Sequence, residues 1–218
     1  MAGGSATKAV KKVLGKTFLR AMGWKPDGAA PEGGGYVLIA APHTTNWDLP
    51  FTLALSFVYD VPIRWMGKHT LFDGPQGAFF KWLGGVPVVR TQRRNMVDQM
   101  VDLFDEREGL VLLVPSEGTR SRAPHWKSGF YHIARGADVP VVLGYLDYAR
   151  KRGGFGPPVE LTGDVEKDMD VIREFYADKL GKYPEKFGPV VLREELAAEA
   201  ATPEPAPDPA ADSGASRK

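Results

Sequence analysis

His43 and Asp48 are the first residues along the chain whose types and spacing suit chemistry. They stand in Ala41-Pro42-His43-Thr44-Thr45-Asn46-Trp47-Asp48. A carboxylate on one ring nitrogen of a histidine fixes the tautomer and stabilises the imidazolium, leaving the other nitrogen to take a proton from an alcohol. A spacing of His, four residues, Asp lets a turn bring the acid back onto the ring. The same spacing also suits an ordinary loop histidine followed by an ordinary first-turn acid, so the case for chemistry must come from other groups. Gly85-Val86-Pro87-Val88-Val89-Arg90 ends in a guanidinium, and Pro115-Ser116-Glu117-Gly118-Thr119-Arg120-Ser121-Arg122 carries an acid and two more. Arginine binds phosphate through paired, charge-assisted hydrogen bonds. Taken singly, Arg90 reads equally as a solvated strand end. Glu117 to Arg120 reads equally as a capped loop with an internal ion pair.

The elements that must hold these groups follow from the apolar pattern. Tyr36-Val37-Leu38-Ile39-Ala40 is a buried-strand run, and a helix is predicted from Trp47 to Tyr59. His43 therefore sits where a strand hands over to a helix, a favoured place for active-site groups in α/β proteins. Thr44, Thr45 and Asn46 are N-cap types, and Asp48 suits the first helical turn. Further strands are predicted at Pro62–Met66, Gly84–Arg90, Leu110–Val114 and Val139–Leu146, with a short one at Val159–Leu161. Further helices are predicted at Gln76–Leu83, Asn95–Arg107, Phe130–Gly136 and Val165–Leu180. Alternating strands and helices imply a single α/β domain with a mostly parallel central sheet flanked by helices. All three charged clusters then fall at strand ends.

A chain of 218 residues that is 43% hydrophobic and 11% aromatic can bury the core of one large domain. Its net charge of +1 hides an asymmetry, with Lys8, Lys11, Lys12, Lys16, Arg20 and Lys25 preceding the first acid, Asp27. Over Lys8–Gly23 the pattern is helical, and Val10, Val13, Leu14, Phe18, Ala21 and Met22 can share one face. Such a basic amphipathic helix reads either as a segment for an anionic membrane surface or as a helix docked on the domain with a solvated basic side. Residues 1–7 read as disordered and 25–34 as a Gly/Pro-rich linker. The expected divisions are 1–34, the basic helix and linker; 35–196, the catalytic domain; and 197–218, a disordered acidic Ala/Pro-rich tail.

The chain has no Cys, which removes disulfides, thiolate nucleophiles and Cys-based metal sites. His43, His69, His125 and His132 lack metal-binding spacing, so no metal is expected. The cations are not interleaved with stacking aromatics, which disfavours nucleic acid. No apolar run approaches the roughly 20 residues of a spanning helix, and the N-terminus lacks the apolar stretch of a signal peptide.

Taken together and in order, the motifs resemble those of the PlsC-type lysophosphatidate acyltransferases, the HxxxxD glycerolipid acyltransferase family. His43 to Asp48 matches its first block. Gly85 to Arg90 is similar to its second, Glu117-Gly118-Thr119-Arg120-Ser121 matches its third, and Val139-Pro140-Val141-Val142 is similar to its fourth. The resemblance covers about residues 35–148. One departure is Ser116, which separates Pro115 from Glu117 where the family has Pro next to Glu.

The resemblance implies a glycerol-3-phosphate acyltransferase-like fold. It also implies transfer of an acyl group from acyl-CoA or acyl-carrier protein, as co-substrate without a cofactor, to a hydroxyl of a lysophospholipid. Lysophosphatidate is the default acceptor, and another lipid or polar hydroxyl compound is the alternative. His43 would be the base and Asp48 its orienting acid. Arg90 and Arg120 would hold an acceptor phosphate, and Glu117 would orient an Arg or a hydroxyl. Gly118 and Thr119 complete the acceptor loop through backbone N–H groups. The helix Leu49 to Val58 is expected to be core more than the wall of an acyl groove. The implied location is cytoplasmic, peripheral on the inner face of the cell membrane. Two other readings remain open. One is a serine hydrolase using Ser116 in Val114-Pro115-Ser116-Glu117-Gly118, although that order of groups is not the usual one. The other is a non-catalytic membrane-surface protein.

Overall fold

Near-continuous apolar runs make strands that are buried on both faces, and they form the middle of this sheet. The computed structural model describes residues 2–88 and 93–201. Its elements are α1 (Ala2–Ala21), β1 (Lys25–Asp27), β2 (Tyr36–Ala41), α2 (Asp48–Tyr59), β3 (Ile63–Lys68), α3 (Gly77–Trp82), β4 (Gly85–Val88) and α4 (Arg93–Glu106). There follow β5 (Val111–Val114), α5 (Gly129–Gly136), β6 (Val141–Asp147), β7 (Arg152–Val159), α6 (Val165–Tyr176) and α7 (Arg193–Ala201).

These strands make one seven-stranded sheet in the order β1-β7-β6-β2-β5-β3-β4. Every pairing is parallel except that of β6 with β7. Side chains alternate across the sheet with period two. Val37, Ile39, Leu112, Val114 and Leu143 pack on one face with Met100, Phe130, Ile133, Met169 and Ile172 from α4, α5 and α6. Tyr36, Leu38, Val111, Leu113 and Val142 pack on the other face, with Leu53 of α2 and Trp65 of β3. The single α/β domain with a mostly parallel sheet flanked by helices is the architecture expected from the sequence.

The ends of the chain differ from expectation. Helix α1 begins at Ala2, within the stretch read as disordered. It docks against α2 at Gly15, where an added Cβ would lie 2.5 Å from the Ala54 carbonyl oxygen. Leu19 and Trp24 are buried there with Phe51, Ala54 and Leu55. Docking does not consume the apolar face, since Val10, Val13 and Leu14 are 55%, 63% and 52% exposed. Lys25–Asp27, read as linker, is an edge strand beside β7. Gly154 permits that approach, because a Cβ there would sit 1.8 Å from the Asp27 carbonyl oxygen. Strand β7 was expected only as a short piece at Val159–Leu161. Gly153, Gly154, Gly156, Pro157 and Pro158 give it a poor strand composition. Helix α7 carries regular structure through 197–201, past the expected start of the tail. It is tied back by Arg173, whose guanidinium lies 3.0 Å from Glu195. Arg90 and residues 202–218 of the tail lie outside the described residues.

Candidate active site

Strand register brings three loops together. In the parallel pair β2 and β5, Ile39 lies opposite Val114, so His43 and Glu117 emerge side by side at the carboxyl edge. In the pair β2 and β6, Ala41 lies opposite Tyr145, which sets Tyr148 beside the same loop. Ligands of open α/β sheets bind at this edge.

His43 Nδ1 lies 3.0 Å from Asp48 Oδ2. The same oxygen accepts the backbone N–H groups of Thr44 at 2.9 Å and Thr45 at 3.0 Å. The other oxygen, Oδ1, accepts the hydroxyl of Tyr148 at 2.7 Å. A carboxylate taken out of water needs such hydrogen-bond partners, and Asp48 is 4% exposed. The turn is therefore wound round the Asp48 carboxylate. Thr44, Thr45 and Asn46 do not cap α2 as their types suggest. The cap residue is Trp47, without a side-chain cap bond; the Thr45 hydroxyl accepts the Trp47 N–H at 3.3 Å and the Thr44 hydroxyl accepts the Tyr183 N–H at 3.3 Å, while both threonines give backbone donors to Asp48. With Nδ1 engaged, Nε2 is the ring nitrogen left for a reacting proton.

Glu117 departs from its expected place among the acceptor ligands. It is wholly buried. Its Oε1 accepts the backbone N–H of His43, and its Oε2 has no hydrogen-bond partner. Burial pushes its pKa up to about 7; the His43 N–H opposes that rise and the charge of Asp48 adds to it. Glu117 thus braces the backbone of His43 from below and does not reach Arg120.

Gly118 adopts φ +68°, and its N–H donates to the Pro115 carbonyl at 3.0 Å. That amide closes the turn and is spent there, rather than being offered to an acceptor. Thr119 Oγ1 accepts the Ser121 N–H at 3.2 Å. Gly118, Thr119 and Arg120 line the mouth of a cavity together with His43, and Arg120 is exposed. Ser116 is wholly buried and its hydroxyl has no partner. No base stands ready to activate it, which removes the basis of the hydrolase reading.

The cavity has a volume of about 460 Å³ and runs from His43 and Asp48 between α2 and the sheet. Leu49, Thr52, Leu55 and Ser56 form its helical wall, and Leu38, Trp65, Leu113 and Phe155 are among its other apolar lining. Helix α2 was expected to be plain core. Its helical period divides it instead: Phe51 and Ala54 pack with α1, while the face at Leu49, Thr52 and Ser56 borders open space. Among the described residues, no group of His, Asp and Glu is placed to hold a metal.

The sequence matches the Acyltransferase family over residues 15–143. The chain belongs to that family. The match takes in His43, Asp48 and Glu117 to Arg120, while Tyr148 lies beyond it. Among solved structures, this acyltransferase is similar to the 1-acyl-sn-glycerophosphate (LPA) acyltransferase PlsC from Thermotoga maritima, with a TM-score of 0.56. That likeness covers 80% of this chain and 81% of PlsC at 16% identity, and it is a likeness of fold. A search of curated proteins finds no match.

Tyr148 is the member of this constellation that sequence reasoning missed. It belongs to no motif, and it stands 100 residues from the acid it binds. The register of β6 against β2 is the only signal that could have placed it.

Proposed function

We propose that this acyltransferase moves a fatty acyl group from acyl-CoA or acyl-carrier protein to a hydroxyl of a lysophospholipid, with lysophosphatidate the first acceptor to test. The observation that carries this reading is the His43–Asp48 pair at the mouth of a largely apolar cavity. His43 Nε2 takes the hydroxyl proton as the alcohol oxygen attacks the thioester carbonyl carbon. The carbon–sulfur bond breaks, and the leaving thiolate recovers the proton from the imidazolium. General-base help of this kind contributes roughly 10²–10⁴-fold. Asp48 holds the ring in the required tautomer. The acyl chain lies in the cavity beside α2. Arg120, with Arg90, meets the acceptor phosphate.

The exposed Val10, Val13 and Leu14, beside Lys12, Lys16 and Arg20, suit adsorption of α1 to an anionic membrane surface, where a lipid acceptor resides. No helix among the described residues is long and apolar enough to cross a membrane. The exposed apolar and basic groups of α1 support a peripheral position, for which the inner face of the cell membrane is the site we propose.

The test is thiol release from palmitoyl-CoA, with and without lysophosphatidate, for the parent and His43→Ala. Acceptor-dependent release that falls by roughly 10²-fold or more in the variant is expected. Release that ignores both the acceptor and the substitution overturns the reading. Arg120→Ala should raise KM for the phosphorylated acceptor and leave that for the donor unchanged.

A further inference from the structure

We propose that Tyr148 is a positioning residue of this reaction, holding Asp48 by its second carboxylate oxygen, and that Trp24 of the N-terminal segment seats it. The proposal rests on the reading of His43 as the base.

The two oxygens of Asp48 have separate partners. Oδ2 faces the imidazole and two backbone amides, and Oδ1 takes the Tyr148 hydroxyl at 2.7 Å. A tyrosine kept only to fill space has no need to aim its hydroxyl at a buried carboxylate. This one stays a neutral donor, because burial, the bond to Asp48 and the Asp48 charge all raise its pKa.

The ring is also fixed in direction. Trp24 meets it edge-on with ring centres 4.9 Å apart, Phe51 meets it at 5.8 Å, and Trp24 and Phe51 lie 4.3 Å apart. The Tyr148 N–H donates to the Leu180 carbonyl at 2.9 Å, and the Trp24 N–H donates to Leu19 of α1 at 2.8 Å. A contact chain thus runs from the docked α1 through Trp24, Tyr148 and Asp48 to His43.

The direction of the effect follows from charge. The hydroxyl draws negative charge toward Oδ1. Deleting it leaves more charge on Oδ2, which favours the protonated imidazole. The ring then holds its proton to higher pH, and the base is free less often near neutrality. The other titratable or charged groups around the pair are Glu117 under the His43 amide, Tyr183 near Tyr148, and Lys68, Arg120 and Tyr145, which line the same cavity. All of them remain in the variant. Glu117 titrates in the same window, so the comparison is repeated in a Glu117→Gln background.

Tyr148→Phe keeps the ring and its packing. The expected result is a fall in kcat of about tenfold, with KM for donor and acceptor unchanged. The acid limb of the kcat profile should move upward. Trp24→Leu should move both in the same direction by less. The double variant should be no worse than Tyr148→Phe alone, because the two act through one contact.

The titration of the His43 ring, followed by NMR in the unliganded protein, supplies a readout that needs no turnover. An upward shift of its midpoint in Tyr148→Phe supports the positioning role even if the parent transfers no acyl group, in which case the reading of the reaction fails separately. An unchanged ring titration together with an unchanged pH profile overturns the proposal. Full additivity of Trp24→Leu with Tyr148→Phe overturns the part assigned to Trp24.

Discussion

Glu117→Gln offers a test of the site's electrostatics that needs no substrate. The carboxyl of Glu117 is raised from 4.5 to about 7, chiefly by burial. Between those values the native state holds a proton that the unfolded chain has released. Stability therefore falls as pH rises through this window and levels off above it. Below pH 4.5 both states are protonated and the group adds no slope. One unit is worth 1.36 kcal/mol, so the full loss is roughly 3 kcal/mol. Glutamine keeps an oxygen for the His43 N–H and has no proton to lose. Its extra N–H donors find no partner where Oε2 now has none, which adds an offset that does not vary with pH. The quantity to compare is therefore the slope. Urea unfolding followed by tryptophan fluorescence, at steps from pH 5 to pH 8, should show parent stability falling relative to the variant by about 2–3 kcal/mol. Parallel curves for the two proteins would refute the assignment of Glu117 as a buried group that gives up its proton only near neutrality.

Two further outcomes follow from packing. Gly15→Leu places side-chain atoms where a Cβ alone would stand 2.5 Å from the Ala54 carbonyl oxygen. Helix α1 must lift from α2, and the urea midpoint should fall by the equivalent of about 1–3 kcal/mol; an unchanged midpoint would show that α1 is not docked there in solution. Ser56 lines the cavity eight residues beyond Asp48, roughly 12 Å along the helix. Ser56→Leu should lower kcat/KM for palmitoyl-CoA by roughly tenfold or more and spare octanoyl-CoA. An equal loss on both donors would mean that the acyl chain does not run beside α2.

The parts of the fold that were legible in the sequence share one cause. Tyr36–Ala41 and Val111–Val114 lie in the middle of the sheet, and burial on both faces leaves uninterrupted apolar runs that end in polar loops. His43, Asp48, Glu117 and Arg120 could therefore be put at the carboxyl edge before any coordinates. The two strands at the β1 end of the sheet leave no such trace. Strand β1 is three residues long, and β7 is rich in Gly and Pro, with Gly154 leaving room for β1.

The site shows a second limit. Sequence reports what a side chain is, and packing decides which way it turns. Glu117 stands in a motif with an arginine, so an ion pair or a substrate contact was the natural expectation. Three residues past Val114, the chain turns its carboxylate inward under the His43 amide, where it supports the base instead of the acceptor. Tyr148 is the converse case. It has no motif, and its position follows only from Ala41 lying opposite Tyr145, yet it holds the acid of the pair at 2.7 Å. Each supporting group reaches the pair from a strand next to β2. The pair is thus held from both sides by parallel pairings, and a slip of one residue in either would turn the supporting side chain away from it.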